Sequence, residues 1–181
     1  MRRITAILIL AALLMSGCAA FPNDVFAGYP AMDAAEIFAT EELSMHDTLI
    51  IRFMDADPSA LNQKQLTVAA LITFDEEMMN GGLCQFFVND HYGYAQYVSD
   101  ALAEVGATEL QAHYDSFLGE NKIDVTQMDS FRIANILDYA KQYSRFPYEA
   151  FDDTFAEIYQ REHLANKVLS YVQLHEDEVL N

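Results

Sequence analysis

Cysteine, proline, glycine and positive charge are all scarce in this chain, and each scarcity closes off a class of protein. Two cysteines among 181 residues, Cys18 and Cys84, cannot supply a disulfide framework. Four prolines and seven glycines exclude collagen-like and low-complexity architectures, and no internal repeat is found. Ten basic residues stand against 28 acidic ones, a formal charge of −18. Such a surface repels nucleic acid and anionic headgroups and attracts basic proteins or cations, so direct nucleic-acid binding is not expected. A blander reading, charge that only keeps the protein soluble, fits the composition equally well. Catalytic and metal signatures are missing too. His46, His91, His113, His163 and His175 form no His-Glu-x-x-His, and no Glu-x-x-His pair recurs as a di-iron bundle requires. Glu109 and His113 are four residues apart, but a single such pair reads as solvent decoration. Gly-x-Ser-x-Gly and a phosphate-cradling glycine loop are likewise absent. No metal and no cofactor is expected. With 28 acids, accidental carboxylate pairs are guaranteed, so a paired-carboxylate hydrolase stays open.

What the chain does contain begins with a leader. Arg2-Arg3 precede an apolar run, Ile4 to Met15, too short to span a bilayer comfortably and suited to a signal peptide. Met15-Ser16-Gly17-Cys18 resembles a bacterial lipobox, which implies cleavage before Cys18 and acylation there, leaving residues 1–17 as signal peptide. Met15 departs from the usual leucine, and an ordinary secreted protein cut near Ala19-Ala20 is the alternative. Several acyl chains anchor a protein stably to a membrane. Ala19 after the cysteine resembles the sorting signal of outer-membrane lipoproteins, which places the chain in the envelope facing the periplasm of a Gram-negative host. Loss of Arg2 and Arg3 takes the net charge from −18 to −20, and lipidation of Cys18 leaves Cys84 as the one free thiol. Between Leu83 and Gln85-Phe86-Phe87, Cys84 reads as a small buried apolar residue; a thiolate would need a base, for which His91 is nearest in sequence.

Residues 18–32 read as a tether, broken by Pro22, Gly28 and Pro30, and residues 33–181 as one acidic helical domain. Apolar residues make up 52% of the chain, enough for a core without metal or disulfide support. The spacing predicts an all-α fold of about six to eight helices. Asp33 is a plausible cap for a helix to about Met54, its pattern blurred near Ser44 to Asp47; Thr48–Phe53 could be a strand but has no partner run. Pro58 and Ser59 open the next helix, which is apolar on almost every face from Leu66 to Met79 and central to the fold. Asp75-Glu76-Glu77 marks its one wet edge. Later helices are read over about Ala95–Val105, stopping at Gly106, over Thr108–Leu118, stopping at Gly119, and over Met128–Tyr143. A final pair spans Tyr148–Tyr159 and His163–His175.

The central helix runs into Asn80-Gly81-Gly82-Leu83-Cys84-Gln85-Phe86-Phe87-Val88-Asn89. Gly81 suits a left-handed C-cap, and Gly82 lets a new element leave at a sharp angle. Gln85 and Asn89 share one face of a short helix. Asn80, Gln85 and Asn89 therefore form either a polar pocket or a set of amides satisfying backbone groups freed at a tight corner. Asn-Gly-Gly followed by Gln-Phe-Phe-x-Asn resembles the core motif of the DNA-mimic-protein family, small acidic bacterial proteins long catalogued as a domain of unknown function. The resemblance extends through Ala101–Ala107, Phe151–Phe155 and Val168–His175, about residues 45 to 178 in all.

The resemblance implies a non-enzymatic interaction module that engages a basic protein surface, since a member of the family imitates the phosphate charge of DNA. Export argues against literal mimicry, because transcription factors are not in that compartment. Candidate acids for such a surface are Asp75, Glu76, Glu77, Asp152, Asp153, Glu176, Asp177 and Glu178. Two further readings stand beside it: an envelope enzyme or enzyme inhibitor using the Asn80/Gln85/Asn89 region, and a purely structural envelope lipoprotein. Homodimerisation is left open.

Overall fold

The computed structural model describes residues 44–54 and 56–181; the leader, Cys18, the tether and Asp33 lie outside them. Eight α-helices and two 3-10 turns make up these residues, and no strand occurs among them. The all-α expectation holds.

Helix α1, Met45–Phe53, starts where the pattern blurred: Ser44 is its N-cap, and Asp47 reaches back to the Ser44 backbone to complete a capping box. Its inward residues are Leu49 and Phe53, so Thr48–Phe53 is helix, not strand. Asp57 then caps a single 3-10 turn, Pro58–Ala60. The long helix α2, Gln63–Asn89, opens after this turn rather than at Pro58, because Asn62 caps it by accepting from the Lys64 and Gln65 N–H groups. Six of its residues between Val68 and Phe74 are at most 2% exposed. A helix buried on all faces has neighbours all round, and α2 touches nearly every other helix of the domain. Met79 and Asn80, the last two residues before the break, are exposed.

Helix α3, Ala95–Glu104, is held at its start by Asp90, whose two oxygens accept from the Tyr94 and Ala95 N–H groups at 2.6 and 3.0 Å. It stops at Gly106 (φ +75°), where Ala107 N–H bonds Leu102 O and Gly106 N–H bonds Ala103 O. Helix α4, Thr108–Asn121, does not stop at Gly119. The same paired bonds occur three residues on, from Ile123 to Leu118 and Lys122 to Gly119, with Lys122 taking the left-handed position. Those backbone bonds locate the end there, and glycine in mid-helix is only a tolerated residue.

The expected helix over Met128–Tyr143 is two elements. A 3-10 turn, Met128–Phe131, is separated from α5, Ile136–Tyr143, by an extended stretch that Asn135 closes as N-cap, accepting from Leu137 and Asp138 N–H. Helices α6, Tyr148–Glu162, and α7, Leu164–Leu174, follow, and a short α8, Glu176–Leu180, folds back onto the start of the domain. Asn62 Nδ2 donates to Glu178 O at 2.8 Å and Arg52 to Leu180 O at 2.5 Å.

Aromatic rings join the layers. Phe74 meets Phe86, Tyr114 and Phe155 edge-on at 5.1, 5.6 and 5.7 Å between centroids, so both limbs of α2, α4 and α6 share one ring cluster. Burial of each such ring stabilises the fold by about 1.5–3 kcal/mol, and edge-on geometry adds about 0.5–1.5 kcal/mol.

Candidate functional site

The break in α2 falls at Gly81-Gly82. Gly81 is extended (φ −163°), and Gly82 alone is left-handed, with φ +76° and ψ −173°. The expectation of a positive angle at Gly81 is thus moved one residue on. Gly81 is constrained by contact instead: a Cβ there would lie 2.1 Å from Gln85 Oε1. At Gly82 a Cβ would meet the Asp152 carboxylate at 2.2 Å. That carboxylate accepts from the Leu83 N–H at 3.0 Å, so Asp152 caps the second limb of α2 from α6. Burial raises the Asp152 pKa, and the Leu83 N–H opposes the rise. Asp152 is therefore half-buried and engaged in the fold, rather than part of an outer acidic face.

Gln85 and Asn89 do come together, though not on backbone groups. Both amides donate to one oxygen, Glu77 Oε2, at 2.9 Å each, and Glu77 is only 3% exposed. A buried carboxylate demands donors, and residues on the far limb of the kink supply them. Asn80 is exposed and stays apart, so the three amides do not converge on one pocket.

The wet edge expected at Asp75-Glu76-Glu77 faces inward. Asp75 is 5% exposed, with Tyr159 Oη donating to its Oδ2 at 3.3 Å while Oδ1 is without a hydrogen-bond partner. Burial pushes the Asp75 carboxyl up to about 6, against the Tyr159 bond and with help from Glu76. Glu76, half-buried, lies 3.6 Å from His46 Nε2. These acids follow a helix whose every side is covered, so position near its end does not make them wet.

Cys84 is fully buried, and burial pushes its thiol up to about 11, an effect that the nearby Tyr139 hydroxyl opposes. A thiol so shifted is a poor nucleophile. Glu109 and His113 do not act as a pair: Glu109 binds Arg161 at 2.8 Å, and His113 stacks on Phe151 with its Nε2 3.0 Å from Phe151 O.

On the outside the picture differs. Asp153 is exposed, as are Glu176, Asp177 and Glu178 in the first turn of α8, where acids suit the helix dipole. Composition-level reading missed the neighbours of Asp153. Glu149, Asp153 and Glu157 recur every fourth residue along α6, all exposed, and none is in an ion pair among the described residues. The four-residue period was legible; the flanking Asp152 drew attention to a doublet instead. A surface depression of about 390 Å³ lies elsewhere, at the α6–α7 junction, lined by Tyr159, His163 and Asn166 among others.

Fold and site together define an acidic, all-helical domain whose central helix is kinked at a double glycine and clamped by inward carboxylates. The model of the DMP19-like protein family matches residues 59–175, well over half of the chain, and the chain belongs to that family. No curated protein and no solved structure matches it.

Proposed function

We propose that the domain is a non-catalytic protein-interaction module that engages a basic protein surface, held in the bacterial envelope by acylation at Cys18. The observation that carries this is the unpaired ridge Glu149, Asp153 and Glu157, exposed on α6 in a chain of net charge −18. Three like charges at one-turn intervals repel one another, and a cationic partner relieves that repulsion. Membership of a DNA-mimic family supports the same recognition chemistry. For an exported chain it transfers as acid against basic protein surface rather than as competition with DNA. The leader and lipobox support the anchor, with the outer membrane facing the periplasm as its site in a Gram-negative host.

Cross-linked capture from intact envelopes supplies the partner, and its affinity for the domain is then measured across a salt series. Affinity should fall with salt, since exposed charges are screened beyond about 8 Å at physiological ionic strength. Neutralising Glu149, Asp153 and Glu157 together should chiefly slow association. Indifference to both overturns the acidic-module reading. Cys18→Ser should release the protein from membranes; unchanged partition overturns the anchor.

A further inference from the structure

Beside the acidic ridge, α5 turns apolar residues to solvent. Ile136 is 77% exposed, Leu137 70% and Tyr143 41%. Ile136, Ala140 and Tyr143 recur at helical spacing on one stripe, and Leu137 lies next to it. The helix is fixed from its other side, where Tyr139 packs against the core. Tyr143 stacks on Tyr148, the first residue of α6, with ring centroids 6.0 Å apart. Burial raises the Tyr143 hydroxyl pKa, and the charges of Glu149 and, more weakly, Asp153 add to the rise. The apolar stripe and the acidic ridge are therefore contiguous. The cations nearby are engaged: Lys141 pairs with Asp138 at 2.8 Å, and Arg145 lies over the Phe131 and Phe146 rings.

Resting on the interaction-module reading, we propose that this α5–α6 surface docks an amphipathic helix of a partner protein, apolar on one side and cationic on its flank. Charge complementarity selects this occupant. A second copy of the chain would bring an identical acidic ridge against the first, with −18 on each copy. A helix whose leucines cover Ile136, Leu137 and Tyr143 would bring lysines on its flank toward Glu149 and Asp153, the acids nearest Tyr143. Such a helix-on-helix mode reads i, i+3, i+4 and i+7 anchors.

The probe is a synthetic helical peptide with a leucine stripe and a lysine flank, beside a scrambled peptide of identical composition, both titrated into the full domain by calorimetry. The amphipathic peptide should bind at least about tenfold more tightly than the scramble, given the apolar area covered. Ile136→Ser with Leu137→Ser should remove that preference, and Glu149→Gln with Asp153→Asn and Glu157→Gln should weaken both peptides. These positions are exposed, and circular dichroism checks that the variants stay folded. Equal binding of the two peptides, or an apolar variant that keeps the preference, overturns the docking proposal. If the acidic variant still weakens binding in that case, the acidic-module reading survives alone; if it does not, both fail. A dimer in sedimentation that the Ile136/Leu137 variant disperses assigns the stripe to a second copy and also overturns the proposal.

Discussion

Asp75, Glu77, Asp90 and Asp152 are turned into the kinked central helix and its caps, whereas Glu149, Asp153 and Glu157 stand in solvent along α6. The residue types are the same and the physics is opposite. The inner acids, Asp75 aside, have each of their bonds aimed at a specific donor: Gln85 and Asn89 for Glu77, backbone N–H groups for Asp90 and Asp152. The outer three lack ion-pair partners among the described residues and face one another at one-turn spacing. Net charge therefore overstates the acidic surface of this domain. Part of it is internal scaffolding, and the exposed remainder includes the row on α6 and the first turn of α8.

The sharpest way to break the inner set is at Gly82. Its angles, φ +76° and ψ −173°, belong to a region essentially confined to glycine, and a Cβ would collide with Asp152. Gly82→Ala should cost about 1.5–5 kcal/mol, combining backbone strain of about 1–3 kcal/mol with loss of the Asp152 cap at about 0.5–2 kcal/mol. Gly106→Ala is the comparison: φ is +75°, yet no atom lies within 4 Å of its Cβ position. That change should cost only about 1 kcal/mol. Urea unfolding of both variants separates collision from conformation, and equal losses would mean that Asp152 moves aside freely.

Asp75 distinguishes the two sets by titration. Its carboxyl, pushed up to about 6 by burial from an ordinary 3.8, takes up a proton more readily in the folded chain than in the unfolded one. The stabilisation this gives is present below the unfolded value and lost as pH rises through about 6. Stability of the native chain relative to Asp75→Asn should fall between about pH 4 and pH 8, by on the order of 2–3 kcal/mol. Parallel pH profiles for the two proteins would show that Asp75 is not protonated on folding. Next in size are the amides on Glu77. Gln85→Leu and Asn89→Leu each remove one donor from a buried carboxylate, with an expected loss of about 1–3 kcal/mol. The double variant should exceed the sum, because the two donors share one carboxylate oxygen. Strict additivity in a double-mutant cycle would mean that the two bonds act independently.

Much of this fold was written in local pattern. The all-round apolar run of α2, the stop at Gly106 and the break at Gly81-Gly82 follow from period and glycine chemistry alone. The errors share one cause. Gly119 was read by residue type and the Met128–Tyr143 run by apolar spacing, whereas Lys122 and Asn135 set the ends through bonds to particular carbonyls and N–H groups. Asp75-Glu76-Glu77 was read as wet because acids usually are, and only tertiary packing could show α2 enclosed on that side as well. The pairing of Gln85 and Asn89 on one face was visible; the acceptor they share, eight and twelve residues back across a kink, was not.

The smallest expected effect bears most directly on why the outer ridge exists. Asp153 has a like charge one turn before it and another one turn after, and each such pair destabilises a helix by about 0.2–0.5 kcal/mol. Asp153→Asn keeps the side-chain shape and nearly the same helix propensity while removing both repulsions. Stability should therefore rise by about 0.4–1 kcal/mol at low ionic strength, and the gain should vanish near 1 M salt, where the screening length is about 3 Å. Such a gain would support the proposed binding role, since the ridge forms no ion pair among the described residues. If Asp153→Asn instead lowers stability, the ridge has a structural role in the free protein, and the contrast between inner and outer acids fails at its outer end.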